Sequence, residues 1–173
     1  MQHFYIDASG KCIGSYDGPP EHNPFAGTPI AVAPEDADAQ RWDGAIWAWP
    51  AETQREKLLR AIAARYQQAL AAGLPYGGKV LQIREQDQAN LTTMGNEARW
   101  AEANGAAWPA QFAWRMADDS FLPLATPGAM IALAEAAKAE VYRLRQVKWG
   151  HVDAVRNLAQ VPDIDAYNFE TGW

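Results

Sequence analysis

The stretch from Thr126 to Gln160 restricts what this chain can fold into more than any other. It opens Thr126-Pro127, where a hydroxyl can cap orphan N–H groups and a proline fits the first helical turn. After Gly128 no Gly or Pro occurs until Gly150, and Ala, Leu, Glu, Lys, Arg and Gln fill the interval. These are good helix formers. Met130, Ala134, Ala137, Val141 and Leu144 alternate spacings of four and three, a heptad pattern. The same phase runs through two polar residues, Lys148 and His151, and resumes at Val155 and Leu158. Pro162 is expected to stop the run. An unbroken helix of this span is roughly 50 Å long at 1.5 Å per residue. Two readings follow. In one it is a core helix on which a domain is built. In the other, part of its stripe (Val141, Leu144, Lys148, His151) is a seam against other copies or partners.

Composition narrows the setting. The chain has 173 residues, 49% of them hydrophobic, enough for a core and for one domain or a domain with an appendage. Its 21 acidic against 15 basic residues give a net charge of −6, which argues against nucleic acid as the main partner. No apolar run approaches the ~20 residues a membrane helix needs, so no membrane span is expected. The N-terminus lacks a basic segment followed by an apolar one, so no signal peptide is expected. A single cysteine, Cys12, leaves no internal disulfide framework and no multi-cysteine metal site.

Read in order, the chain predicts an α+β protein that changes character near residue 50. His3–Ile6 and Lys11–Ile13 flank turn residues, which predicts a hairpin. Asp17 to Pro24 reads as a stiff extended connector, and Pro29 to Pro34 as another extended segment. Glu35-Asp36-Ala37-Asp38 reads as a solvated loop. Asp43-Gly44 between Arg41-Trp42 and Ile46–Trp49 predicts a tight hairpin, with Trp47 and Trp49 on one strand face. Residues 1–50 are thus expected to form an extended arm, too poor in apolar mass to order without another chain. Residues 51–173 are expected to form a compact domain of about three helices with short hairpins. Thr53-Gln54-Arg55-Glu56 predicts a capping box, and Leu58, Leu59, Ile62, Ala63, Tyr66 and Leu70 the helix it starts. Lys79–Arg84 is a predicted strand. Asp87 is a predicted cap for a helix with Leu91, Met94, Ala98 and Ala101 on one face. Phe112, Trp114 and Met116 alternate into a second hairpin that returns through Phe121–Leu124.

The residues with chemistry are few. His3, His22 and His151 have no metal-ligand spacing. His3 and Cys12 face each other in one possible register of the first hairpin, but no orienting group or oxyanion hole accompanies them. Asp118-Asp119 and Asp163-x-Asp165 lack the spacing of a calcium loop. No enzyme activity, cofactor or metal is therefore expected. The eight tryptophans are the remaining signal. Trp42, Trp47 and Trp49, with Phe169 and Trp173 near the other end, are the candidate interface residues, because indoles supply much contact area at little entropy cost. A glycan platform is the alternative use. Trp100, Trp108, Trp114 and Trp149 are expected in the core.

Several longer stretches resemble a known family. They are Arg55-Glu56-Lys57-Leu58-Leu59, Gly78–Gln88, Phe112–Leu124, the long helix through His151, and the closing Asp163–Trp173 with its Gly-Trp ending. Together they are similar to an uncharacterised C-terminal domain of bacteriophage and prophage tail proteins associated with tail fibres. The chain departs from that pattern at Arg84-Glu85, where the family commonly carries Thr-Asp. Tyr16–Pro20 and Trp42–Trp47 resemble short N-terminal pieces of tail-fibre and tail-assembly proteins. The resemblance implies a structural or accessory part of a phage tail tip or fibre, made in the bacterial cytoplasm and located in the virion. Its implied partners are other tail proteins, further copies of itself, and a host-surface glycan or protein. A tail-fibre assembly chaperone is an alternative in the same setting. A glycan-binding module or a small envelope hydrolase is an alternative of another class.

Overall fold

The fold is α+β, and the computed structural model describes residues 2–173. Every strand pairing in it is antiparallel, and all but one join strands consecutive in the chain. Contacts divide the chain into two units, neither contiguous in sequence. One takes the chain up to Leu59 together with Val155–Tyr167; the other takes Arg60–Ala154 together with Asn168–Trp173.

In the first unit, β1 (His3–Ile6) is the central strand of a three-stranded sheet, between β2 (Cys12–Tyr16) and β3 (Thr28–Ile30). The predicted hairpin is there, but its register pairs His3 with Tyr16 and Ile6 with Cys12, across an irregularity at Tyr5/Ile6. The connector expected to be extended instead contains a 3-10 turn at Pro20–His22, closed by the His22 N–H on the Pro19 carbonyl. The Phe25 ring stacks on Tyr5 at 5.7 Å. A two-strand hairpin follows, β4 (Arg41–Trp42) and β5 (Trp47–Ala48). Its loop has four residues instead of the expected two. The Asp43 carboxylate accepts from the Ala45 and Ile46 N–H groups and makes the turn itself. Buried Gln40 ties this hairpin to the acidic loop. Its Oε1 accepts from the Glu35 and Asp36 N–H groups, and its Nε2 donates to the Trp47 carbonyl. Tyr5, Ile6, Gln40 and Trp47 of this stretch are buried.

Helix α1 (Ala51–Ala72) begins directly after Pro50. Thr53 lies inside the helix, so the predicted capping box does not form; the Pro50 carbonyl already accepts from the Gln54 N–H. Past α1, in the second unit, β6 (Leu74–Tyr76) and β7 (Lys79–Leu81) form a hairpin. Its two turn residues, Gly77 and Gly78, have φ of 58° and 77°. Positive φ at both positions is the type I′ turn that matches strand twist, which only Gly-Gly and similar pairs adopt readily. Strand β7 stops at Leu81, three residues short of the predicted Lys79–Arg84.

Helix α2 (Glu85–Asn104) starts after Arg84. Asp87 caps it from inside the first turn, accepting from the Arg84 N–H at 3.0 Å and the Arg84 guanidinium at 2.9 Å. The Arg84 position that departs from the resembled family thus serves as a partner of that cap. Strands β8 (Ala113–Arg115) and β9 (Phe121–Pro123) form the predicted second hairpin around Asp119, which sits at φ 63°. Helix α3 (Pro127–Asn157) is the long helix, with Thr126 Oγ1 accepting from the Ala129 N–H. It ends at Asn157, short of the expected stop, and Pro162 lies in the first turn of a further short helix, α4 (Val161–Asp165).

The core of the second unit gathers Tyr66, Leu70, Leu81, Ile83, Leu91, Ala98 and Met116 around the α3 stripe Met130, Leu133, Ala134, Ala137, Val141 and Leu144. Gly95 brings α2 and α3 together: a β-carbon there would lie 2.8 Å from the Ala134 β-carbon.

Candidate interaction surface

The expected contact residues are largely occupied within the chain. Trp47 is only 9% exposed, its indole N–H donates to the Val32 carbonyl at 2.7 Å, and Trp42 meets it edge-on at 5.7 Å. Trp49 lies beyond the end of β5 and is half-buried. The expected exposed indole pair therefore does not exist, because the first unit encloses one of its members. Leu144, 2% exposed, is buried in the core of its own unit and is not available to an intermolecular seam, and Val141, in the same core, keeps only 6% of its surface in solvent.

The two polar residues of that stripe have a local explanation. The Lys148 ammonium sits 4.9 Å from the centre of the Tyr66 ring, close enough for a cation–π attraction. The His151 ring stacks on Trp173 at 5.5 Å, and its Nε2 lies 3.0 Å from the Thr171 carbonyl. The closing segment is held further by the Arg65–Glu170 ion pair and by Arg143, which donates to the Gly172 carbonyl while paired with Glu140. Trp173 also donates to the Phe169 carbonyl and packs against the core. Phe169 and Trp173 thus join His151 in a clasp within the second unit. The Arg143 hydrogen bonds hold the Glu140 carboxyl below its ordinary range.

Cys12 and His3 do not come together, since the register places Ile6 opposite Cys12 and Tyr16 opposite His3. Asp118 accepts from the Ser120 hydroxyl and N–H, which hold its carboxyl low and account for it as a turn residue. Among the described residues no three or more of His, Cys, Asp and Glu are gathered to hold a metal ion. No helix among them is long and apolar enough to cross a membrane.

The exposed aromatics are elsewhere. Trp100 is 65%, Tyr142 60% and Trp149 48% exposed, with Phe121 also outward. Trp100 and Trp149 were expected in the core, while Trp108 and Trp114 do pack against it. The sequence carried the signal: Trp149 follows stripe position 148, and Trp100 precedes stripe position 101. Each lies one residue, about 100° of helix, off the buried face. Tyr142, Arg145 and Trp149 share an exposed line on α3 at spacings of three and four. Tyr142 and Arg145 border a groove of about 420 Å³ between α2 and α3, floored by Leu91, Ala134, Ala137 and Val141. A second hollow, of about 380 Å³, lies beside Tyr66, Lys148 and Trp149, and Gln88 and Arg145 line both.

Residues 53–171 match the family described as a domain of unknown function, DUF4376. The chain belongs to that family. The DUF4376 stretch draws on both units, because it contains Val155–Tyr167 as well as the helical core. Neither the curated proteins nor the solved structures compared with the chain give a match.

Proposed function

We propose that this DUF4376 protein is a structural or accessory component of a phage tail tip or tail fibre that acts through protein–protein contacts. The observation that carries the reading is the line of Tyr142, Arg145 and Trp149, of which Tyr142 and Arg145 border an aliphatic groove and Arg145 and Trp149 the adjoining hollow. Tyr, Trp and Arg are the side chains that dominate protein interfaces, and here they border a concave surface instead of being scattered. The setting comes from the sequence resemblance to tail-fibre-associated domains. In this reading the protein is made in the host cytoplasm, joins other tail proteins, and is carried in the virion.

The test is fractionation of purified particles from a phage or induced prophage encoding the chain. A structural part co-purifies at fixed stoichiometry with tail proteins and is located by a map of the intact particle. A chain that binds fibres in the lysate and is absent from particles is an assembly chaperone, and the structural reading then fails. Turnover of envelope fragments by the purified chain, lost on substitution of a single side chain, replaces both with an enzyme.

A further inference from the structure

We infer that the α2–α3 groove receives an acidic, amphipathic helical segment of another protein. The inference rests on the contact reading above and names the chemistry of the partner. Small side chains make the groove: Ala134 and Ala137 leave space that a larger residue would fill, and Leu91 and Val141 complete an aliphatic floor. Cations stand over it. Lys138 and Arg145 are exposed, and among the described residues neither makes an ion pair. Lys148 stands at the adjoining hollow. The carboxylates present are Glu135, engaged by Arg99, and Glu85. A locally cationic groove on a chain of net charge −6 is complementary to an acidic surface. An aliphatic floor fits the apolar face of a helix, and the rim cations fit its acidic face.

The test uses the full chain and a fluorescein-labelled helical peptide of about five turns, leucines on one face and glutamates on the other. The comparison peptides carry lysine for glutamate, or the same composition in scrambled order. The acidic peptide is expected to bind saturably, and more weakly at higher salt. The double variant Lys138→Glu/Arg145→Glu is expected to lose about tenfold or more in affinity and to gain binding of the lysine peptide. Tyr142→Ala weakens binding, whereas Lys57→Glu, a single charge reversal on an exposed stretch of α1, leaves it unchanged. All these positions are exposed, and circular dichroism verifies that each variant folds as the parent does. Failure to bind, equal binding of the scrambled peptide, or an unaffected double variant overturns the inference. So does tighter binding, at the same residues, of heparin or of phosphatidylglycerol vesicles. Particle fractionation separates the two ideas. A chain present in particles whose groove variants incorporate undiminished sinks the groove and keeps the structural role. A chain absent from particles that binds the acidic peptide does the reverse.

Discussion

Replacing Gly95 by alanine sets two effects of comparable size against each other. In a helix interior, alanine is favoured over glycine by up to ~1 kcal/mol. At Gly95 the new β-carbon would stand 2.8 Å from the Ala134 β-carbon, against an optimum of about 3.5–4.0 Å for carbon pairs. Neither atom can rotate away, since each is fixed to a helix backbone. The helices must separate by roughly 1 Å, and overpacking of this kind costs ~1–3 kcal/mol. The expected net is a loss of ~1 kcal/mol, about 2–4 °C in Tm for a chain of this size. Gly150, in the same helix as Ala134, is the internal control: nothing lies within 4 Å of a β-carbon placed there. Gly150→Ala should therefore stabilise by up to ~1 kcal/mol. Urea melts of both variants, followed at the helical circular dichroism band, measure the two signs side by side. Adding Ala134→Gly to Gly95→Ala should show a favourable coupling of ~0.5–3 kcal/mol. If Gly95→Ala stabilises as much as Gly150→Ala, the close approach of α2 and α3 does not govern this contact and the argument fails.

Trp47→Ala should destabilise the chain by ~3–5 kcal/mol, because it empties a buried site and leaves the Val32 carbonyl without its donor; an unchanged melt would restore Trp47 as an external anchor. Trp173→Ala should free the clasp, seen as faster amide exchange over 168–173 and loss of the His151 stacking. Exchange indistinguishable from that of the parent would show the clasp is held by Arg65 and Arg143 alone. Asp43, Asp118 and Glu140 all have carboxyls held below their ordinary range, by backbone N–H donors, the Ser120 hydroxyl and Arg143 respectively. The unfolded chain therefore binds protons first, so this stability is full above a pH of about 4.5 and declines as the folded values are reached. Asp118→Asn and Glu140→Gln should each flatten the acid limb of the stability profile measured by denaturant melts.

The helical part of this fold was legible because period and punctuation agree there. The stripe from Met130 to Leu144 is buried as its spacing requires, and Thr126, Gly73 and Gly105 stand at helix ends. What was not legible depended on contacts between distant segments. Nothing near Gln40 in the sequence announces that its amide will be buried between an acidic loop and a tryptophan hairpin. The polar pair Lys148 and His151 read as part of a seam because Tyr66 and Trp173, which contact them, are far away in sequence. Trp100 and Trp149 were misplaced for another reason: their size suggested the core, although their phase on the helix put them outside it. The surface that results was therefore readable in the period, whereas the groove beside it depends on how α2 and α3 pack.

Both units are discontinuous, and the Arg55 guanidinium on the Leu158 carbonyl shows how early and late parts of the first unit are tied together. A domain boundary falls where few contacts cross it. The start of the DUF4376 match at residue 53 is no such place, since a new front piece joined there would meet residues 155–167 shaped for the old one. The stretch that is recognised as a unit of descent is therefore not the unit that folds, and the first fifty residues and the α4 segment should be inherited as a pair.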